Sequence, residues 1–378
     1  MRKITVCMIL VILFTASIFL TSCNREYADY SADVTTFMIE DDGEFKILTV
    51  SDLHFCNYES GEEQFDEDML NRLDKLIKHS EPDLIVILGD MVYSHNSSRV
   101  DALGALAEII DGYKIPWAPV YGNHDGENPS GSTSRADFIN NKTAMNAILA
   151  ESEYCLFKEG PEDINGYGNY IINITDENNK IIQTLFFLDS GDYIKPEDLI
   201  GNDFIPQSAT HAMKNYGAIY PNQIQWYEDT VKDISKFIYG RRKKVVPSLA
   251  FFHIPFPEYR TVWELYDQGS DKVKWYDGAL EEPDMGNGGV ASPSFNTGMF
   301  NKMVELKSTK AVFVGHDHGN DFSIKYKGVR LNYNGGMRHI TYMVTDEIIE
   351  SMFGGREIII DERGNCAYNR VKISDITE

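Results

Sequence analysis

Five short stretches of this chain carry side chains able to hold metal: Ser51-Asp52-Leu53-His54, Gly89-Asp90, Gly122-Asn123-His124-Asp125, a lone His253, and Gly315-His316-Asp317-His318. Asp52, Asp90 and Asn123 offer oxygens; His54, His253, His316 and His318 offer imidazole nitrogens. That donor set suffices for two ions a few ångströms apart, and a pair of ions at that spacing is a common device for hydrolysing phosphate esters. Asp52 and His54 are two residues apart, so on an extended strand they share a face and reach one ion. Asp90 has two carboxylate oxygens and can bridge both ions, and Asn123 adds a neutral oxygen. A mixed nitrogen and oxygen shell suits Mn, Fe, Zn or Ni better than Ca, which takes oxygen alone. Each stretch alone is a weak signal; their joint occurrence is the evidence.

The stretches stand where apolar runs stop. Phe45 to Val50 is a predicted strand running out at Asp52, and a helix follows over Asp66 to His79 with Met69, Leu73, Leu76 and Ile77 on one face. Asp83 to Leu88 is a continuous apolar run, as for a strand buried on both faces of a parallel sheet, and it ends at Gly89-Asp90. A second helix, Arg99 to Gly112, leads to a strand over Pro116 to Tyr121 and then Gly122-Asn123-His124, giving a βαβαβ alternation. Beyond it come a helix over Ser134 to Ala150, strands near Tyr170 to Ile174 and Ile181 to Leu188, and a helix entered at Pro221 and running to Tyr239. A strand over Ser248 to Phe252 ends at His253, and Ala311 to Val314 feeds Gly315-His316. Residues 253–293 read as irregular chain, with Tyr259, Arg260, Trp263, Tyr266, Trp275 and Tyr276 as candidate pocket walls or anchors of a self-packed loop. Asn296 is a candidate cap for a helix reaching Leu306. Later segments near Asp321 to Lys325, Arg330 to Tyr333, His339 to Val344, Arg356 to Asp361 and Tyr368 to Ile373 read as antiparallel strands. The expected fold class is α/β, one domain over residues 45–378 with two packed mixed β-sheets flanked by helices. In such sheets ligands bind at the carboxyl ends of the strands, and Gly89, Gly122 and Gly315 each stand beside a proposed ligand where the backbone must turn away.

The N-terminus reads as an export signal. Arg2 and Lys3 precede a nearly uninterrupted apolar run from Ile4 to Leu20. Leu20-Thr21-Ser22-Cys23 is similar to a bacterial lipobox, so residues 1–22 are expected to leave as a signal peptide and the Cys23 thiol to carry lipid, with residues 23–44 as a tether to the membrane. The alternatives are a plain signal peptide or a retained anchor helix, for which the run is slightly short. Once Cys7 and Cys23 are set aside, Cys56, Cys155 and Cys366 remain, an odd number without the spacing of a disulfide framework. Cys56 lies two residues past His54, near the proposed metals or simply buried as a small apolar residue.

Lys and Arg number 35 against 58 Asp and Glu, for a formal net charge of −23. Such a surface repels a phosphate backbone, so non-specific nucleic-acid binding is not expected. With 43% apolar and 25% charged residues the chain has ordinary globular composition.

Taken together, the motifs resemble the calcineurin-like metallophosphoesterase superfamily, which includes purple acid phosphatases, over about residues 45 to 320. Within it, Leu188-Asp189-Ser190-Gly191-Asp192-Tyr193, His253-Ile254-Pro255-Phe256-Pro257-Glu258-Tyr259 and Gly315-His316-Asp317-His318-Gly319-Asn320-Asp321-Phe322 resemble a branch shared with plant proteins labelled probable inactive purple acid phosphatases. The resemblance implies one ion on Asp52, His54, Asp90 and His318 and another on Asp90, Asn123, His253 and His316. It implies that His124 faces the substrate, stabilising the transition state or protonating the leaving oxygen. Asp125 then orients His124 and raises its pKa, or serves as a loop cap. Purple acid phosphatases have a tyrosine ligand where Tyr93 stands here, and Gly in place of His54; with His54 present, Tyr93 reads as wall or core. The implied activity is hydrolysis of phosphate monoesters or diesters by a metal-bridging hydroxide. The competing classes are a surface binding protein on a retired hydrolase scaffold and a nuclease or nucleotidase; the acidic surface weighs against long polymers.

Overall fold

The computed structural model describes residues 34–93, 98–128, 134–211, 216–281, 288–338 and 346–377, and its compact unit spans Phe37 to Glu378. The expected α/β class holds: two mixed sheets lie among helices. In the smaller sheet, strand β2 (Glu44–Val50) is followed by helix α1 (Glu63–Ser80), β3 (Leu84–Leu88), α2 (Arg99–Asp111) and β4 (Trp117–Val120). These three strands are parallel. The Leu-Ile-Val-Ile-Leu run of β3 is buried throughout because it lies between two neighbours and under helices. Helix α1 buries Met69, Leu73, Leu76 and Ile77, the face its periodicity marks. Ser98 caps α2, its hydroxyl accepting from the amide of Asp101 at 3.4 Å.

Helix α3 (Arg135–Glu151) opens the second half and is capped by Ser134, whose hydroxyl accepts from the Asp137 amide at 3.1 Å. Strands β5 (Tyr170–Thr175), β6 (Ile181–Phe187), β7 (Ser248–Phe251) and β9 (Thr309–Val314) form the core of the larger sheet, with α4 (Pro221–Tyr239) between β6 and β7. Tyr170, Phe187, Phe251 and Phe313 stand side by side across these strands, centroids 4.5, 5.1 and 5.3 Å apart in turn. Phe313 also meets Tyr368 of the other sheet. This aromatic row is part of one buried cluster that also takes Ile47, Val86, Ile358 and Ile360, so the core lies between the sheets.

Several expectations need correction. The segment assigned to a tether includes β1 (Thr35–Met38); just past it, the amide of Ile39 donates to the carbonyl of Thr175 at 2.9 Å. Residues 253–293 are not irregular throughout: they hold α5 (Glu258–Asp267) and β8 (Val273–Asp277). Tyr266 and Trp275, one from each, stack at 4.4 Å, so those aromatics anchor a helix on an edge strand. Helix α6 (Met299–Leu306) is capped by Gly298; Asn296 instead accepts from the Gly298 amide. Of the late strands, β10 (Ser323–Tyr326), β12 (Gly354–Asp361) and β13 (Cys366–Lys372) pair antiparallel, and β11 (Val329–Tyr333) is antiparallel to β10 but lies parallel to β9 on its other edge. Helix α7 (Asp346–Met352) precedes β12, and the strand expected over His339 to Val344 falls outside the described residues. The three cysteines of the described part, Cys56, Cys155 and Cys366, are all free. Among the described residues, no helix is long and apolar enough to cross a membrane.

Candidate metal centre

The site forms where β2, β3, β4, β7 and β9 end. The chain past β2 runs beside the chain past β3: the amides of Asp52, His54 and Phe55 donate to the carbonyls of Gly89, Asp90 and Met91. Asp52, His54, Asp90 and His316 all adopt positive φ, at 55°, 44°, 49° and 76°. That backbone is unfavourable for residues with a Cβ and turns their side chains inward. The expectation that Asp52 and His54 share a face of an extended strand is therefore wrong in its geometry, since β2 stops at Val50. They meet because both residues are left-handed. Two of the flanking glycines serve close approach rather than an unusual φ. A Cβ on Gly122 would lie 2.1 Å from Asp90 Oδ1, and one on Gly315 would lie 1.8 Å from Ser51 Oγ.

Seven side chains meet here. The ligand atoms of Asp52, His54 and His318 lie within 4.8 Å of one another, as do those of Asp90, His253 and His316. His54 Nε2 is 3.7 Å from Asp52 Oδ1 and 3.6 Å from Asp90 Oδ2, which joins the two groups. His318 Nε2 lies 3.3 Å from Asp52 Oδ1 and 3.1 Å from His54 Nε2. In the second group His253 Nε2 is 3.2 Å from Asp90 Oδ2 and 3.1 Å from Asn123 Oδ1.

The chemistry of this donor set fits cations. His253 Nδ1 bonds the carbonyl of Leu88 at 2.7 Å and so carries a proton. Its Nε2 then presents a lone pair to two acceptor oxygens, a repulsive arrangement unless a proton or metal ion lies among them. Among the described residues His316 Nε2 is a buried atom without a hydrogen-bond partner, a costly state for a polar group unless something else binds it. Electrostatics agrees. Burial holds His54 down to about 4 and His316 well below its usual range, so both rings are neutral and ready to ligate. Burial alone would raise the Asp52 and Asp90 carboxyls, but the adjacent His318 and His253 keep them ionised. Burial likewise opposes a charge on His253, yet Asp90 raises it to about 9; an ion bound there would displace that proton.

His124 and Asp125 do not form the expected pair. His124 Nδ1 bonds Glu127 Oε2 at 2.8 Å, and Glu127 is also held by Arg99 at 2.8 Å. Burial lowers the His124 pKa, but Asp90 and Glu127 outweigh it and raise the ring above its ordinary value. Asp125 instead accepts from the amides of Gly122, Asp90 and Val92 at 2.7, 3.1 and 3.1 Å, so it fixes the loops that carry the ligands. Buried beside Asp90, its carboxyl is pushed up to about 6. Sequence reading missed Glu127; its spacing of three from His124, within one turn, was the available signal. Tyr93 forms a wall, its ring edge-on to His54 at 5.4 Å and to His124 at 5.1 Å. Cys56 is buried with its thiol pushed up to about 12 by burial, and it bonds the backbone carbonyls of Tyr93 and His54.

The calcineurin-like phosphoesterase family model matches residues 45–320, nearly three quarters of the chain and every side chain of this cluster. The chain belongs to that family. It is 30% identical over 319 residues to "Probable inactive purple acid phosphatase 29" of Arabidopsis thaliana, covering 79% of this chain and 73% of that protein. It is 31% identical over 312 residues to "Phosphatase DCR2" of Saccharomyces cerevisiae, covering 75% of this chain and 46% of the yeast protein. A solved dimetal phosphatase from Danio rerio aligns over 87% of this chain and 99% of its own, at 14% identity and a TM-score of 0.45. Members of this family typically bind two metal ions, and the two ligand groups found here give this calcineurin-like phosphoesterase a place for each.

Proposed function

We propose that this protein is an active phosphoric-ester hydrolase that works with two transition-metal ions. One ion is assigned to Asp52, His54 and His318, the other to Asn123, His253 and His316, with Asp90 facing both. One observation carries the reading: six ionisable side chains fall into two compact groups, the candidate ligand atoms of each lying within 4.8 Å of one another. The mixed shell favours Mn, Fe, Zn or Ni. Bound ions would act as Lewis acids, lowering the pKa of water and offsetting charge on the phosphoryl oxygens. The remaining roles fall to the chain itself. Glu127 anchors His124 through Nδ1, leaving Nε2 to carry a proton to the leaving oxygen. The rings of Tyr93, Tyr193 and Tyr216 stand around His124 and His316 and limit water. The name of the yeast relative supports hydrolysis. The plant relative's name points the other way, but this chain keeps a complete ligand set.

Full-chain protein stripped with chelator should hydrolyse neither p-nitrophenyl phosphate nor its bis-ester, and Mn or Zn should restore turnover. Asp90→Ala and His316→Ala should each abolish it. A wild-type rate in either variant rejects the assignment, and metal binding without turnover of any phosphate ester would make this a binding protein on a retired scaffold. We also propose export and lipid attachment at Cys23, on the strength of Leu20-Thr21-Ser22-Cys23. If the mature protein does not begin at Cys23, or its N-terminal peptide carries no lipid mass on that residue, lipidation is excluded.

A further inference from the structure

The stretch Asp189-Ser190-Gly191-Asp192-Tyr193 follows β6 and supplies no proposed ligand, yet it is braced from several sides. Asp189 is buried and takes Lys142 Nζ at 3.0 Å, the amide of Tyr167 at 2.8 Å and that of Gly191 at 2.9 Å. Arg135 donates to both oxygens of Asp192, at 2.8 and 3.0 Å, and to the carbonyl of Tyr193 at 2.9 Å. Gly217 packs so closely that a Cβ there would lie 2.8 Å from the Asp192 nitrogen. A loop fixed this firmly can hold its two remaining side chains in place.

Both of those side chains end on the second ligand group. The hydroxyl of Ser190 accepts from the amide of Ile254 at 2.8 Å, fixing the backbone one residue past His253. The phenol oxygen of Tyr193 accepts from Nδ2 of Asn123 at 2.8 Å. An amide can present oxygen or nitrogen in nearly the same shape, and only the oxygen can ligate. With Nδ2 engaged by Tyr193, Oδ1 faces His253 Nε2 at 3.1 Å.

We infer that Ser190 and Tyr193 are positioning residues for the second ion, Tyr193 by holding the amide of Asn123 in place and Ser190 by seating His253. The inference rests on the two-ion reading above. It acts on one group alone, because neither side chain contacts Asp52, His54 or His318 in the bonds that define the brace. Partners that orient a ligand in this way commonly change metal affinity 10- to 100-fold, a range taken from other metal sites.

The test is calorimetric titration of chelator-stripped full-chain protein with Mn²⁺, with bound metal per chain counted by mass spectrometry. Wild type should take two ions. Tyr193→Phe removes one hydroxyl and should weaken one binding event about 10- to 100-fold while leaving the other unchanged; Ser190→Ala should act on the same event. In a His316→Ala background, which cripples the second group, Tyr193→Phe should do nothing to the ion that remains. Two wild-type affinities in Tyr193→Phe would overturn the inference. So would equal weakening of both events, since that would mean a general packing defect. A wild-type protein that takes no ion would instead sink the two-ion reading itself.

Discussion

Replacing Glu127 by Gln separates the observed partner of His124 from the one its neighbour Asp125 suggests. The carboxylate lies 2.8 Å from His124 Nδ1 and is itself gripped by Arg99. Glutamine preserves the shape and removes the charge. A hydrogen bond to a charged group contributes about 1.5–3 kcal/mol against about 0.5–1.5 for a neutral one, so the variant forfeits roughly 1–1.5 kcal/mol of support for the imidazolium. At about 1.4 kcal/mol per factor of ten, kcat should fall about tenfold where proton donation limits the rate. The leaving group makes this visible. An alkyl phosphate needs a proton on its departing oxygen and should show the full loss, whereas p-nitrophenolate departs without one and should show little. The sign of the pH effect follows as well. Asp90 and Glu127 hold the His124 pKa up against burial. With one of them neutralised, burial gains, the pKa falls, and the alkaline limb of the alkyl-phosphate rate moves to lower pH. Asp125→Asn is the control: it loosens the loop amides and should slow both substrates by the same factor. Equal losses for the two leaving groups in Glu127→Gln, or an unmoved alkaline limb, would refute the role given to this pair.

Lys142 and Asp189 form an ion pair with both partners buried. Lys142→Met should cost about 3–5 kcal/mol in urea unfolding, because it leaves the carboxylate uncompensated; adding Asp189→Asn should recover part of that, and a loss under about 1 kcal/mol in the single variant would contradict the burial. Gly315→Ala should cost about 1–3 kcal/mol from overpacking. Its Cβ would fall 1.8 Å from Ser51 Oγ and 2.7 Å from Asp52 Oδ2, so ion binding at the first group should fail too; an unaltered metal titration would show that β9 can shift to admit a methyl.

The parts of the fold that could be read beforehand are those governed by burial. The Leu84–Leu88 run and the helix face of Met69 and Leu73 depend on local composition, and the structure places each where its pattern points. What escaped depends on distant partners. The aromatics of α5 and β8 have too short a period to announce a helix and an edge strand until Tyr266 finds Trp275. The parallel pairing of β11 with β9 is set by a connection returning through β10, which no local pattern encodes.

The same division explains the site. Its ligands were legible as residue types at strand ends, but the reason they converge was not, because it lies in backbone that Asp and His rarely adopt. Asp52, His54, Asp90 and His316 each hold positive φ, at a cost of order 1–3 kcal/mol apiece for residues in such regions. The strain persists because the surroundings determine it several times over. Asp125 pins three amides around Asp90 and Gly122, and Asp52 takes the Ser51 hydroxyl and the His316 amide. Relaxing any one of these residues to ordinary backbone would swing its side chain out of reach of its group. Strained backbone and crowded donors are a cost to folding that a bound proton or cation offsets: the proton on His253 does so beside Asp90, and on the proposed reading two metal ions do so for both groups.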